Sequence, residues 1–168
     1  AGLSGRALSA EDIGFQVGPR INASGRMDTA ARALDVLLAD DGATAARAAA
    51  VLDELNQVRR RVEREVLAEA LTQAAAFADE AAWPMFVLAG QGWHQGVVGI
   101  VAGRIAERFE RPTLVIGLTG EGGRGSARSA RGLDVLELMR GGAAEMVRWG
   151  GHAQAAGVDV RADQLAAA

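Results

Sequence analysis

Three short segments of the chain hold residue types that can grip a phosphate. Residues 122–132 read Gly-Gly-Arg-Gly-Ser-Ala-Arg-Ser-Ala-Arg-Gly, with three arginines and no acid. If 124–130 is extended, the two-residue alternation of a strand puts Arg124, Ser126 and Arg128 on one face, and Gly125, Ala127 and Ser129 on the other. Two guanidinium groups and a hydroxyl then share one side within about 14 Å, and guanidinium pairs with phosphate oxygens bidentately. A solvated hairpin whose glycines only make turns is the alternative. Residues 150–157 read Gly-Gly-His-Ala-Gln-Ala-Ala-Gly. Gly150 and Gly151 free the backbone to approach a ligand and to aim N–H groups at an anion, and His152 adds a donor or a charge beside it. A tight turn with one surface histidine competes with that reading. In residues 92–100, Gly-Trp-His-Gln-Gly-Val-Val-Gly-Ile, His94 falls between a strand and a helix, where α/β sheets place ligands and a helix start favours an anion. Against this, Trp93-His94 would simply pack the loop.

What is missing narrows the chemistry. The chain has no cysteine, which excludes thiol catalysis, disulfides and cysteine-bound zinc or iron–sulfur clusters. His94 and His152 are the only histidines, with no knot of aspartates around either, so they make no two-metal centre by themselves. Walker, G-x-S-x-G and H-E-x-x-H patterns are absent. Phosphate-gripping groups without a catalytic group suggest half of an active site.

The elements that must position these groups come in two styles. Residues 1–27 read as loop and turn, with Gly18-Pro19 followed by Asn22, Ser24 and Gly25. Arg20 and Arg26 are the only charges from 13 to 27. Residues 28–40 read as a helix with Asp28 as N-cap and Leu34, Leu37 and Leu38 on one side. From about 43 to 79 strong helix formers run without glycine or proline, and Val51, Leu55, Val58, Val62 and Val66 mark an apolar stripe. Such a helix would be roughly 50 Å long, against about 40 Å for a compact globule of this size. It is therefore expected to project as a connector. Its arginines, Arg59, Arg60, Arg61 and Arg64, read as a salt-bridged solvent face, because Glu63 and Glu65 follow Arg59 and Arg61 by four residues.

After Trp83-Pro84 the pattern alternates. A buried strand is expected at 85–89, a helix at 97–109 with a smooth face at Gly99 and Gly103, and a strand at 113–118. The glycine-rich 120–132 stretch follows, then a helix at 134–145 and a last strand at 157–160. The expected fold class is α/β, a long connector helix followed by a small mixed-sheet domain with helices packed on the sheet. The expected boundaries are 1–27, 28–82 and 83–168.

Composition sets outer bounds. Of 168 residues, 49% are hydrophobic and 23% charged, as in globular proteins. No apolar run approaches the roughly 18 residues of a membrane span. Eighteen basic against 21 acidic residues give a net charge of −3, which excludes a polycation that coats nucleic acid indiscriminately. Every basic residue is arginine. Four per cent aromatics and no tyrosine argue against a base-stacking platform. The opening Ala-Gly-Leu-Ser-Gly has neither an initiator methionine nor a signal pattern, and reads as a cut inside a longer chain.

Residues 93–104 (Trp-His-Gln-Gly-Val-Val-Gly-Ile-Val-Ala-Gly-Arg), 125–129 (Gly-Ser-Ala-Arg-Ser) and 150–157 closely resemble the RecJ single-strand DNA exonucleases, within the DHH phosphoesterase superfamily. Residues 18–27 look like the RecJ segment that closes the DHH domain. The resemblance runs in order from about 13 to 160. It implies that 1–27 ends a DHH domain, that 28–82 connects, and that 83–168 is a DHH-associated domain holding the DNA backbone and 5′ end against a two-metal centre. It implies single-stranded DNA as substrate, degraded 5′→3′ in DNA repair and recombination. Mn²⁺ or Mg²⁺ would be the cofactor, with its ligands in the missing DHH domain. No metal ligand and no nuclease activity are then expected in this chain alone. By the matching motifs Ser126, Arg128, Gly151 and His152 bind phosphate, Arg26 contributes from the DHH side, and His94 joins them. Arg124 and Gly150, from the reading of the residues, complete the set. Arg128 and His152 would also offset charge in the transition state. The resemblance implies a cytoplasmic enzyme without membrane contact, and leaves a single-strand-binding protein or a helicase open as partner. The alternatives are a related DHH phosphoesterase acting on nano-RNA or cyclic dinucleotides, or a catalytically inactive RecJ-like replication scaffold.

Overall fold

The structure is a computed structural model that describes residues 7–77 and 84–161. The chain divides into two compact units, residues 1–61 and 62–168, so the division falls inside the long helix. The shifts in composition lie elsewhere, at 27/28 and 82/83.

In the first unit, residues 10–27 are helical rather than loop and turn. Helix α1 (Ala10–Asp12) runs into a π-helical stretch (Ile13–Val17) and then α2 (Gly18–Met27). Ser9 and Asp12 cap the start reciprocally, side chain to backbone in both directions. Pro19 sits in the first turn of α2, where proline's fixed φ suits the helix. The wide turn before it is closed by the Gly18 N–H donating to the Ile13 carbonyl. Gly18-Pro19 is thus a helix junction. Helix α3 spans only Ala31–Leu37. Asp28 does not cap it; its carboxylate takes Arg32 Nε at 3.0 Å. Leu34, Leu37 and Leu38 are all exposed.

Helix α4 (Gly42–Ala76) has 35 residues, about 52 Å of helix. Asp41 caps it through hydrogen bonds from the Ala43 and Thr44 N–H groups. The expected end near 79 lies outside the described residues. The buried stripe is Leu52, Asn56, Glu63, Val66, Ala70 and Ala74, and the stripe expected from the valine spacing is rotated from it. Two polar residues on the buried side and many alanines on all sides explain the difference. Glu63 is the clearest departure. Only 2% exposed, it bonds Arg104 at 2.6 Å, while Arg59 Nη2 donates to Asn56 Oδ1 at 2.8 Å.

The second unit is built on a five-stranded mixed sheet in the order β1-β2-β3-β5-β4. Strand β1 (Phe86–Gln91) pairs in parallel with β2 (Thr113–Thr119), and α5 (Gln95–Phe109) makes the crossover. Strands β3 (Gly122–Arg128), β4 (Met146–His152) and β5 (Ala155–Arg161) pair antiparallel. Only 157–160 is legible as strand at this end, because Gly150-Gly151 hides β4. Helix α6 (Val135–Arg140) is capped by Asp134 and stops before the expected 145, at the Gly141-Gly142 pair. One sheet face packs with α6 in a core of Leu114, Ile116, Ala127, Val135, Met139, Ala156, Val158 and Val160. Helix α5 covers the β2 and β3 part of the other face. The Gln73 amide donates to the Ala89 carbonyl of β1 at 2.9 Å, tying α4 to this unit. The α/β class, a long helix followed by a mixed sheet with helices packed on it, is as expected.

Candidate nucleic-acid interface

Strand register arranges the candidate residues in three rows on the α5 side of the sheet. Arg124, Asp159 and Arg148 are paired across β3, β5 and β4 in the first row. Ser126, Gly157 and Gly150 form the second, and Arg128, Ala155 and His152 the third. Directly paired residues share a face, so the alternation expected for Arg124, Ser126 and Arg128 continues onto two more strands. The centre of the pattern is glycine. A Cβ at Gly150 would have nothing within 4 Å, and one at Gly157 only the Gly125 carbonyl oxygen at 4.0 Å.

Arg128 folds back along its strand. Its Nη1 donates to Ser126 Oγ at 2.6 Å and to the Ala127 carbonyl at 2.8 Å. The smooth face of α5 makes this possible, because a Cβ at Gly99 would stand 2.9 Å from Arg128 Nη2 and 3.1 Å from Ser126 Oγ. Gly151 serves the other side of β4. Its φ is 154°, and a Cβ there would lie 2.4 Å from the Ala155 carbonyl oxygen, so only glycine lets the hairpin close behind His152. His152 itself is exposed.

In the first row one carboxylate serves two guanidinium groups. Arg124 Nε donates to Asp159 Oδ1 at 2.9 Å, and Arg148 donates to Oδ2 through Nε at 3.0 Å and Nη2 at 2.7 Å. The Arg124 hydrogen bond, joined by Arg148 and outweighing burial, holds the Asp159 carboxyl below the usual aspartate range. Asp159 in turn raises Arg124 above its ordinary value. These three residues and the glycines border a groove of about 330 Å³. Sequence reasoning misses Arg148 and Asp159. The same two-residue alternation finds both, counting back from Gly150 and on from Gly157, once 146–152 is known to be a strand.

The loop before α5 divides its roles. Trp93 is buried, its Nε1 donates to Glu69 Oε2 at 2.8 Å, and its carbonyl passes over Gly117, the β2 partner of Arg124. Trp93 therefore packs the loop. His94 is exposed and caps α5, with Nδ1 accepting the Gly96 N–H at 3.0 Å. That leaves Nε2 as the ring nitrogen able to meet a ligand. Arg26 is exposed in the last turn of α2, within the first unit.

Among the described residues no three His, Asp or Glu side chains are grouped to hold a metal ion. The face offers guanidinium, imidazole and hydroxyl groups, and the carboxylate of Asp159 is engaged by two arginines, so the donors it presents are suited to anions. No helix among the described residues is long and apolar enough to cross a membrane.

Residues 82–168 match the DHHA1 domain. The chain belongs to the DHHA1 family. Similarity also extends upstream of the DHHA1 domain. Over 160 residues the chain is 41% identical to the single-stranded-DNA-specific exonuclease RecJ of Salmonella typhimurium, covering 91% of the chain and 28% of that protein. It is 37% identical over 158 residues to RecJ of Bacillus subtilis, covering 92% of the chain and 20% of that protein. Among solved structures, RecJ of Thermus thermophilus in complex with Mg²⁺ superposes with a TM-score of 0.86 at 34% identity, over 97% of this chain and 25% of that one. An exonuclease RecJ bound to manganese gives 0.83 at 34% identity, over 97% and 40%. The chain thus spans less than a third of the curated relatives it matches. The RecJ resemblance of the DHHA1 domain and its connector is borne out in sequence and in fold.

Proposed function

We propose that this chain is the strand-holding part of a RecJ-type exonuclease, one that degrades single-stranded DNA 5′→3′ in DNA repair and recombination. The three-row face carries the proposal, with Ser126, Arg128 and His152 set around an open glycine floor. It is supported by a RecJ match that covers the helices upstream as well as the DHHA1 domain. That breadth favours RecJ over a DHH phosphoesterase acting on nano-RNA or cyclic dinucleotides.

In this reading Ser126, Arg128 and His152 hold phosphate of the terminal nucleotides, and Gly150 and Gly151 let the strand approach the backbone. Arg124 and the His94 Nε2 extend the contact, while Arg26 is proposed on the motif resemblance alone. Hydrolysis of a phosphodiester loads negative charge onto the non-bridging oxygens. Arg128 and His152 offset that charge in this reading. The solved relatives hold Mg²⁺ or manganese. We assign such an ion to a part of the whole protein outside this chain, where it would supply an activated water. The chain alone then binds and does not cut. The whole enzyme would work in the cytoplasm, with a single-strand-binding protein or a helicase as candidate partners.

Binding of a short fluorescent single strand at low salt, carrying 5′-phosphate or 5′-hydroxyl, tests the proposal. The phosphorylated end is expected to bind about tenfold tighter, the order of one or two charge-assisted hydrogen bonds. Arg128→Ala and His152→Ala should abolish that preference, and Arg60→Ala on α4 should keep it. Equal affinity for both ends, unchanged by either substitution, would overturn the reading. Nucleotide release by the chain alone with Mn²⁺ would overturn its inactivity.

A further inference from the structure

We infer that Arg124 and Arg148, held by Asp159, form a second phosphate site for an internal phosphodiester of the strand, one step along from the group that Ser126, Arg128 and His152 hold. This rests on the proposed single-strand substrate. Asp159 spends both carboxylate oxygens on the two arginines, so the trio keeps one net positive charge. Arg124 reaches Asp159 through Nε alone, which leaves both of its Nη groups to donate, and Arg148 keeps Nη1. These donors border the 330 Å³ groove whose floor includes Gly150 and Gly157.

Spacing separates this site from the first. Arg128 folds back to Ser126, so its guanidinium lies at the second row. The first row is two residues further along β3, about 7 Å away. Successive phosphates of one strand lying along this face can occupy both rows, one at each guanidinium. Asp159 is what distinguishes the trio from loose surface arginines. Two long side chains are ordered before any ligand arrives, which lowers the entropy cost of engaging a phosphate. The Asp159 carboxyl, held below the usual aspartate range chiefly by the Arg124 hydrogen bond, keeps its charge to lower pH than an ordinary aspartate.

The test compares a nucleoside 5′-monophosphate with a 5′-phosphorylated tetranucleotide, on this chain and on an Arg124→Ala/Arg148→Ala variant. The double variant should bind the tetranucleotide about tenfold more weakly and the mononucleotide within twofold of the parent. The slope of log affinity against log salt should fall by about 0.7 for the one phosphate lost. Arg128→Ala should weaken both ligands. Because both arginines are exposed, the variants are expected to melt with the parent. An Arg124→Lys/Arg148→Lys variant, which keeps charge and loses the guanidinium fork, should fall between parent and double alanine. Unchanged tetranucleotide affinity in the double alanine variant overturns the second site and leaves the end-binding reading intact. Unchanged affinity in Arg128→Ala overturns the end-binding reading instead.

Discussion

On one side of β3, Gly125 lies beneath Ile116, Val158 and Leu114, so close that a Cβ would stand 2.8 Å from the first two. On the opposite side of the same sheet Gly150 looks into open space, with nothing within 4 Å of where a Cβ would be. Both residues are small, for opposite reasons. At Gly125 the absent side chain is replaced by neighbouring apolar groups and the strands close on α6. At Gly150 the absence leaves room, and the charged rows on either side of the glycines remain reachable. A glycine in a sequence therefore says that a side chain is unwelcome, and only the pairing register says whether protein or ligand takes its place.

That contrast can be broken most severely from the packed side. Ile116→Ala, at 1% exposure, should cost about 2–5 kcal/mol of stability by chemical denaturation. Strand binding by the molecules still folded should be unchanged. Gly125→Ala should cost about 1–3 kcal/mol through overpacking against Ile116 and Val158. Gly150→Ala sharpens the comparison. Its stability should stay within about 0.5 kcal/mol of the parent, while affinity for the phosphorylated tetranucleotide drops several-fold because a methyl enters the groove. A thermal shift for Gly150→Ala as large as that of Gly125→Ala would mean that the two faces are not different in kind.

The sequence makes one column of the face legible. Arg124, Ser126 and Arg128 alternate within a single strand, so period two is enough to gather them. Arg148 and Asp159 lie on other strands and join the face only through non-local pairing, which no local pattern encodes. The helix at 97–109 and the helix start near 134 are visible because their signals are local. Residues 10–27 mislead because Gly18, Pro19, Asn22 and Gly25 favour turns in isolation, and the helical context overrides that preference. In α4 the alanines leave several faces equally apolar. The buried Glu63 is invisible to any rule that sends acids to solvent.

The contacts of α4 with the sheet unit carry a further implication. Its buried alanines, Ala70 and Ala74, are small enough that apolar packing alone would let the helix roll or slip. Three polar tethers remove that freedom: Glu63 to Arg104, Glu69 to the Trp93 indole and Gln73 to the Ala89 carbonyl. Each is specific in direction, so together they set a rotational phase. One residue inserted between Glu63 and Glu69 would turn Glu63 by about 100° relative to the other two, swinging its carboxylate off Arg104. This stretch of helix consequently behaves as a keyed shaft, whose length and sequence are read together.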